Sequence, residues 1–129
     1  GASSIAQKAA EAAYTGPQDC VAEMCAAFRR RRDLVVGLAS QIPGFMVNEP
    51  KGAFYLFPEV SGVLGKRFGD KVIATSGDLA MYLLEQAHVA TVDGAAFCAP
   101  GYIRFSYATS DDNLREAMSR IRTAIDRLH

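Results

Sequence analysis

The sequence predicts an open α/β sandwich, in which helices pack on a small, mostly antiparallel sheet of about four short strands. Two observations support this fold class. Apolar residues recur at helical spacing in three segments, of which the first is long enough for about six turns. Between these segments lie short runs rich in aromatic and β-branched residues, bounded by glycine and proline. We therefore expect a long helix, a hairpin, a helix, two strands and a final helix.

The first half of the chain is dominated by the long helix. An alanine-rich, weakly helical stretch at residues 2–13 comes before it and is interrupted by Thr15-Gly16-Pro17. The long helix is predicted over residues 17–42, with Asp19 favourably placed near its start and Pro43-Gly44 ending it. Its apolar stripe is predicted to consist of Val21, Met24, Cys25, Phe28, Val35, Leu38 and Ile42.

Four consecutive arginines, at positions 29–32, lie within this helix. Successive helical residues are rotated by about 100°, so the four side chains spread round the axis instead of forming one basic stripe. We interpret the run as solvated helix surface, with contact to another domain or subunit as the alternative. It does not predict a nucleic-acid groove.

A hairpin is predicted after the long helix. Residues 45–47 and 53–57 form its strands, with a turn at Pro50-Lys51-Gly52 between them and Pro58 after the second strand. Residues 59–76 contain three glycines and predict a long loop. Their spacing matches neither a phosphate-binding loop nor a dinucleotide-binding fingerprint.

The second half of the chain predicts two helices and two strands. Ser76 is expected to cap a helix at residues 78–88, followed by strands at 89–92 and 102–107, and Ser110 to cap the last helix. The buried residues of the two helices are expected to be Leu79, Tyr82, Leu83 and Ala87, and then Leu114, Ala117, Met118, Ile121, Ile125 and Leu128.

Composition limits the function classes. The chain has 14 basic and 14 acidic residues, so no net basic field favours nucleic acid or an anionic membrane. No apolar run approaches the roughly 18 residues of a membrane span, and no signal-peptide pattern opens the chain. Cys20, Cys25 and Cys98 form neither a disulfide framework nor a zinc ligand set. They fit a reducing compartment, so we expect a cytoplasmic protein without a metal site.

One residue of the strand at 102–107 does not fit a purely buried strand. Side chains alternate between the faces of a strand, so Ile103, Phe105 and Tyr107 share a core face. Arg104 points the other way. It is an ordinary solvated charge if its face is open, and it needs a partner if that face is covered, because an unpaired buried charge is costly. Its planar guanidinium suits a carboxylate, supplied by a distant acid of the chain or by a ligand beside the loop at 93–98.

Three blocks of the sequence resemble the C-terminal part of class I pyridoxal-phosphate aminotransferases, and most of all their bacterial aspartate aminotransferase branch. They are GAFYLFP at 52–58, LLEQAHVATVDGAAF at 83–97 and YIRFSYATSDDNLREAMSRI at 102–121. SSIAQ at 3–7 and AFRRRRDLVV at 27–36 are similar to the segments that lead to the family's small domain. The resemblance covers nearly the whole chain.

The resemblance implies roles for individual residues. Arg104 is expected to bind the α-carboxylate of an amino-acid substrate, and Phe97 to form part of the pocket wall. Residues 1–16 are expected to end a large cofactor-binding domain, residues 17–42 to form the long connecting helix, and residues 43–129 to form the small domain.

The resemblance also implies what the parent protein does. It would exchange an amino group between an amino acid, with aspartate favoured, and a 2-oxo acid, using pyridoxal 5'-phosphate in a homodimer. The family's cofactor lysine stands in a Ser-Lys context that none of this chain's lysines shares, so we expect the fragment alone to bind no cofactor and to be inactive. Asp93 and Cys98 stand where the family often has proline and glycine. The alternative is a stand-alone, non-enzymatic module that binds a carboxylate or a protein.

Overall fold

A computed structural model describes all residues of the chain, 1–129. The α-helices are α1 (Ser4–Thr15), α2 (Asp19–Ala39), α3 (Ser76–Tyr82) and α4 (Asp111–Asp126). The strands are β1 (Tyr55–Leu56), β2 (Arg67–Phe68), β3 (Lys71–Val72), β4 (Val92–Asp93) and β5 (Ile103–Ser106). Short 3-10 turns span Ser61–Val63 and Gly94–Phe97, and a π-helical turn, Leu83–Ala87, extends α3. None of the helices is both long and apolar enough to cross a membrane.

The sheet is small and antiparallel, as predicted. Strand β5 lies in the centre, with β1 on one side and β4 on the other. Strands β2 and β3 form a separate two-stranded hairpin. Helices α2 and α4 pack against each other, and α2 also contacts β1. The predicted α/β fold class, helices on a small antiparallel sheet after a long helix, is therefore confirmed.

One continuous core joins the helices to one face of the sheet. It contains 21 buried hydrophobic residues. Thirteen of them come from the C-terminal half of α2, from α3 and its π-helical turn, from β5 and from α4, and the others from β1 and the connecting segments. The predicted stripe of α4 is buried except at Ala117, which is half-buried, and all of the residues predicted for α3 are buried. Ser110 caps α4 by accepting a hydrogen bond from the backbone N–H of Asn113, as expected.

The apolar stripe predicted for the long helix is only half correct. Val35 and Ile42 are buried, but Val21 and Met24 are 53% and 54% exposed, and Cys25 is exposed as well. Helix α1 buries no residue at all. Helical spacing identifies an apolar face, and packing on that face begins only where α4 and the sheet reach α2.

The predicted hairpin of residues 45–47 and 53–57 is wrong. Met46 makes an isolated bridge to Glu59, and β1 pairs instead with β5. In that register Leu56 lies opposite Phe105 and is completely buried. Burial of Leu56 therefore stabilises the long-range pairing more than a local hairpin would be stabilised.

The segment at residues 59–76, predicted to be a loop, contains a 3-10 turn and the strands β2 and β3. The β2–β3 hairpin closes around Gly69-Asp70, and Gly69 has a φ of +58°, as the first residue of a tight hairpin turn requires. Val60, Val63 and Ile73 belong to the core. The next helix is capped by Thr75, which forms a capping box with Asp78, rather than by Ser76. The strand predicted at 89–92 is shifted to Val92–Asp93.

The arginine run makes more contacts within the chain than the predicted solvated surface would. Arg30 Nε lies 3.0 Å from Asp111 Oδ2, and Arg31 Nε lies 3.6 Å from Asp111 Oδ1. Arg32 pairs with Asp33 and, at 3.3 Å, with Glu49. Three of the four arginines therefore make ion pairs, because the four directions they take round α2 bring them to different neighbours.

Candidate functional site

The two faces of β5 differ as the alternation predicts. Ile103, Phe105 and Tyr107 are buried in the core, and the phenolic O–H of Tyr107 donates to the carbonyl of Ala53 at 3.0 Å. Arg104 points away from this core and is half-buried. The sheet thus buries one face and presents the arginine on the other.

Arg104 lies between two aromatic rings. Its Cζ atom is 4.4 Å from the ring centroid of Tyr55 and 4.3 Å from that of Phe97. The strand order explains this arrangement, because Tyr55 belongs to β1 on one side of β5, and Phe97 follows β4 on the other side. Such cation–π contacts stabilise a guanidinium by roughly 0.5–2 kcal/mol each.

No acid of the chain pairs with Arg104. None of the ion pairs or hydrogen bonds in the structure involves its guanidinium. Its Cζ atom lies over both rings, and its N–H donors lie in one plane along the edge of the guanidinium. Of the alternatives left open by the sequence, an acidic partner within the chain is therefore excluded. The edge can accept a carboxylate through two parallel hydrogen bonds.

The surroundings of Arg104 are aromatic. The ring of Phe57 meets that of Phe97 edge-on, at 6.1 Å between centroids, and lies 5.3 Å from that of Tyr102. We call Tyr55, Phe57, Phe97 and Tyr102 the aromatic patch. Phe97 is 45% exposed, so the patch is open to solvent at this ring.

A hydrogen-bond network fixes the turn that carries Phe97. The hydroxyl of Ser76 donates to Asp93 Oδ1 at 2.7 Å and accepts from the backbone N–H of Gly101 at 3.1 Å. The same carboxylate oxygen accepts from the backbone N–H of Ala95 at 3.1 Å. We call this network the Ser76–Asp93 latch. It joins the start of α3, the turn at 94–97 and the segment leading into β5.

Gly94 allows this turn to lie close to β5. Its N–H donates to the carbonyl of Tyr102 at 2.8 Å. A Cβ at this position would lie 2.3 Å from the carbonyl oxygen of Ala99 and 2.6 Å from that of Tyr102. Only glycine fits such a close approach of two backbones.

Cys98 ends the turn in an unusual conformation. It has a φ of +57°, in the left-handed region that costs a residue with a Cβ roughly 1–2 kcal/mol. The family that the sequence resembles often has a glycine at this position, and glycine would adopt the same φ without that cost. The thiol is exposed and next in sequence to Phe97.

The lysines of the chain lie outside this site. Lys8 pairs with Glu11 on α1, and Lys71 lies 3.9 Å from Glu85 beside α3. Lys51 and Lys66 do not belong to the aromatic patch either. The site thus offers a cation and aromatic rings but no amine beside them, and the groups present do not fit the covalent attachment of an aldehyde cofactor.

The structure joins Arg104 and Phe97, the two site residues predicted from the sequence, and adds Tyr55 and Ser76. Tyr55 could have been found from alternation, since Leu56 is the core residue of β1 and its neighbours must face the other way. The role of Ser76 could not have been found in this way, because its hydrogen-bond partner Asp93 lies 17 residues further along the chain.

The fold and the site define a small α/β domain with an arginine between two aromatic rings on the open face of its sheet. A family model described as aminotransferase class I and II matches residues 1–121. The chain therefore belongs to this family, and the resemblance of its three sequence blocks is confirmed.

Individual relatives agree with the family. The chain is 50% identical over 127 residues to an aspartate aminotransferase of Rhizobium meliloti, covering 98% of this chain and 31% of that protein. It is 47% identical over 119 residues to an aspartate/prephenate aminotransferase of Cereibacter sphaeroides, covering 92% and 30%. A crystal structure of the Rhizobium meliloti aspartate aminotransferase superposes with a TM-score of 0.94 at 49% identity, covering 98% and 32%. The chain thus spans about a third of the length of the relatives it matches.

Proposed function

We propose that the whole protein is an aminotransferase that moves an amino group between an amino acid and a 2-oxo acid, and that Arg104 binds the substrate α-carboxylate. The observation that carries the proposal is the guanidinium of Arg104, which contacts the rings of Tyr55 and Phe97 and makes no ion pair with an acid of the chain. Both substrates of such a reaction carry a carboxylate next to the reacting carbon, so one arginine serves both directions. Phe97 supplies an apolar wall beside it.

Aspartate is the favoured amino-acid substrate. The support is the name of the Rhizobium meliloti relative, an aspartate aminotransferase at 50% identity. The name of the Cereibacter sphaeroides relative adds prephenate, a 2-oxo acid, which is a candidate amino-group acceptor in the same assay.

We place pyridoxal 5'-phosphate in the whole protein and its covalent lysine outside this chain. The cofactor supplies the electron sink for the chemistry at the amino carbon. The residues of this chain bind and orient the substrate carboxylate and cover the site with aromatic side chains. In this proposal residues 1–16 end the large domain, residues 17–42 form the connecting helix, residues 43–129 form the small domain, and the protein is a homodimer. The chain alone is inactive.

The test compares two arginine variants of the whole protein. Arg104→Gln removes two charge-assisted hydrogen bonds, so we expect kcat/KM for the amino acid and for the 2-oxo acid to fall about 100-fold or more. Arg122→Gln, at an exposed position of α4 without an ion pair, is the matched control and should stay within about twofold of the unchanged protein. Equal effects of the two substitutions would contradict the role of Arg104.

A second test uses the 129-residue chain itself. Mixed with pyridoxal phosphate, an amino acid and a 2-oxo acid, it should show no protein-bound cofactor absorbance and no turnover. Turnover by the isolated chain would contradict the placement of the cofactor lysine outside it. Carboxylate binding without turnover in any longer form of the protein would instead favour a non-enzymatic binding module.

A further inference from the structure

Tyr55 is held more firmly than the other ring that contacts Arg104. It belongs to β1 and lies opposite Ser106 of β5, so Arg104 is its diagonal neighbour on the same face of the sheet. The adjacent residue, Leu56, is completely buried and fixes the register of β1. Phe97, by contrast, lies in a short turn and is 45% exposed.

A row of aromatic rings supports Tyr55 from behind. The ring of Phe54 lies 4.5 Å from that of Tyr55, and Phe28 of α2 stacks on Phe54 at 5.9 Å with an interplanar angle of 26°. We call Phe28, Phe54 and Tyr55 the ring row. It leads from the long helix to the guanidinium of Arg104, which Phe97 also contacts, from the other side of β5.

We infer that Tyr55 is a positioning residue, which acts through Arg104 by fixing the plane of its guanidinium so that the edge faces the ligand. The inference rests on the proposed function, because it assigns Tyr55 to the carboxylate site of Arg104. An arginine side chain has several rotatable bonds, and contact of its guanidinium with two rings, at 4.4 Å and 4.3 Å from Cζ, restricts its alternative orientations. A guanidinium that is already oriented loses less freedom when it binds a carboxylate.

This role predicts a specific kinetic signature. The carboxylate is held equally in the bound substrate and in the transition state, so losing the ring weakens both alike. In the whole protein, Tyr55→Leu should raise KM for the amino acid about 10-fold and leave kcat within about twofold. Tyr55→Phe keeps the ring without the hydroxyl and should behave like the unchanged protein. If Tyr55→Phe is as impaired as Tyr55→Leu, the ring is not the active feature and the inference is overturned.

A spectroscopic readout separates this inference from the proposed function. In the NMR spectrum of the ligand-free 129-residue chain, ring currents of Tyr55 and Phe97 should shift the Hε–Nε signal of Arg104. Tyr55→Leu and Phe97→Leu should each move this signal, whereas Tyr14→Leu, at a position 87% exposed, should not. If Tyr55→Leu impairs folding, Tyr55→Met gives the same readout, because it puts a flexible apolar side chain in place of the ring. An Arg104 signal that Tyr55→Leu does not move overturns the inference.

The two readouts distinguish the ways in which the account can fail. In the first case, Arg104→Gln leaves KM unchanged while Tyr55→Leu still moves the Arg104 signal. The contact between the ring and Arg104 then exists, but Arg104 does not bind the substrate, so both the proposed function and the positioning role are wrong. If Arg104→Gln raises KM but Tyr55→Leu changes neither KM nor the Arg104 signal, the proposed function stands and the positioning role alone is overturned. The inference is supported when Tyr55→Leu changes both and Tyr55→Phe changes neither.

Discussion

Replacing Ser76 by alanine tests whether the Ser76–Asp93 latch fixes the turn that carries Phe97. The hydroxyl of this buried serine makes two hydrogen bonds, at 2.7 Å to the carboxylate of Asp93 and at 3.1 Å from the N–H of Gly101. A hydrogen bond to a charged group contributes about 1.5–3 kcal/mol and a neutral one about 0.5–1.5 kcal/mol. Ser76→Ala should therefore lower the free energy of unfolding by about 2–4 kcal/mol.

The assay is thermal and urea unfolding of the 129-residue chain followed by circular dichroism. For a domain of this size, a loss of 2–4 kcal/mol corresponds to a fall in Tm of about 7–15 °C. Ser119→Ala is the matched control, because Ser119 is exposed on α4 and its hydroxyl makes no hydrogen bond. The control should change stability by less than about 0.5 kcal/mol. If Ser76→Ala costs no more than Ser119→Ala, the latch does not contribute as argued.

Two further predictions concern the helix contact and the close turn. Hydrogen bonds from Arg30 hold the pKa of Asp111 below its usual range, so their stabilisation is present above about pH 4 and is lost as the pH falls through the lowered pKa. In urea titrations Asp111→Asn should destabilise the chain at pH 7, and this effect should shrink steadily as the pH is lowered below about 4. A loss of stability that does not change with pH would contradict the ion pair. Gly94→Ala should cost more than about 2 kcal/mol, whereas Gly52→Ala, with open space around it, should stay within about 1 kcal/mol. Similar stabilities for the two glycine variants would show that the turn can relax.

The parts of the fold that the sequence predicted are those that local rules determine. Alternation along β5 placed Arg104 opposite the core face, because a strand has a period of two whatever it pairs with. The cap at Ser110 and the stripe of α4 followed from capping chemistry and helical spacing.

The parts that the sequence did not predict depend on long-range packing. The partner of β1 is β5 rather than the segment at Met46, because burial of Leu56 against Phe105 decides the register. The ring of Tyr55 reaches Arg104 only as a consequence of that pairing. The helical spacing likewise predicted an apolar face that includes Val21. It could not predict whether another element packs on that face, and Val21 is exposed in the structure. The β2–β3 hairpin, by contrast, had a local signal that could have been used, the tight turn at Gly69-Asp70.

The central claim is that Arg104 binds the α-carboxylate of the substrate, and a crystal structure of the whole protein with a bound 2-oxo acid tests it most directly. We expect two N–H···O hydrogen bonds of about 2.7–2.9 Å from the edge of the Arg104 guanidinium to the carboxylate, with the rings of Tyr55 and Phe97 still in contact with the guanidinium. A carboxylate bound by another cation, with Arg104 paired to an acid of the remaining chain, would contradict it.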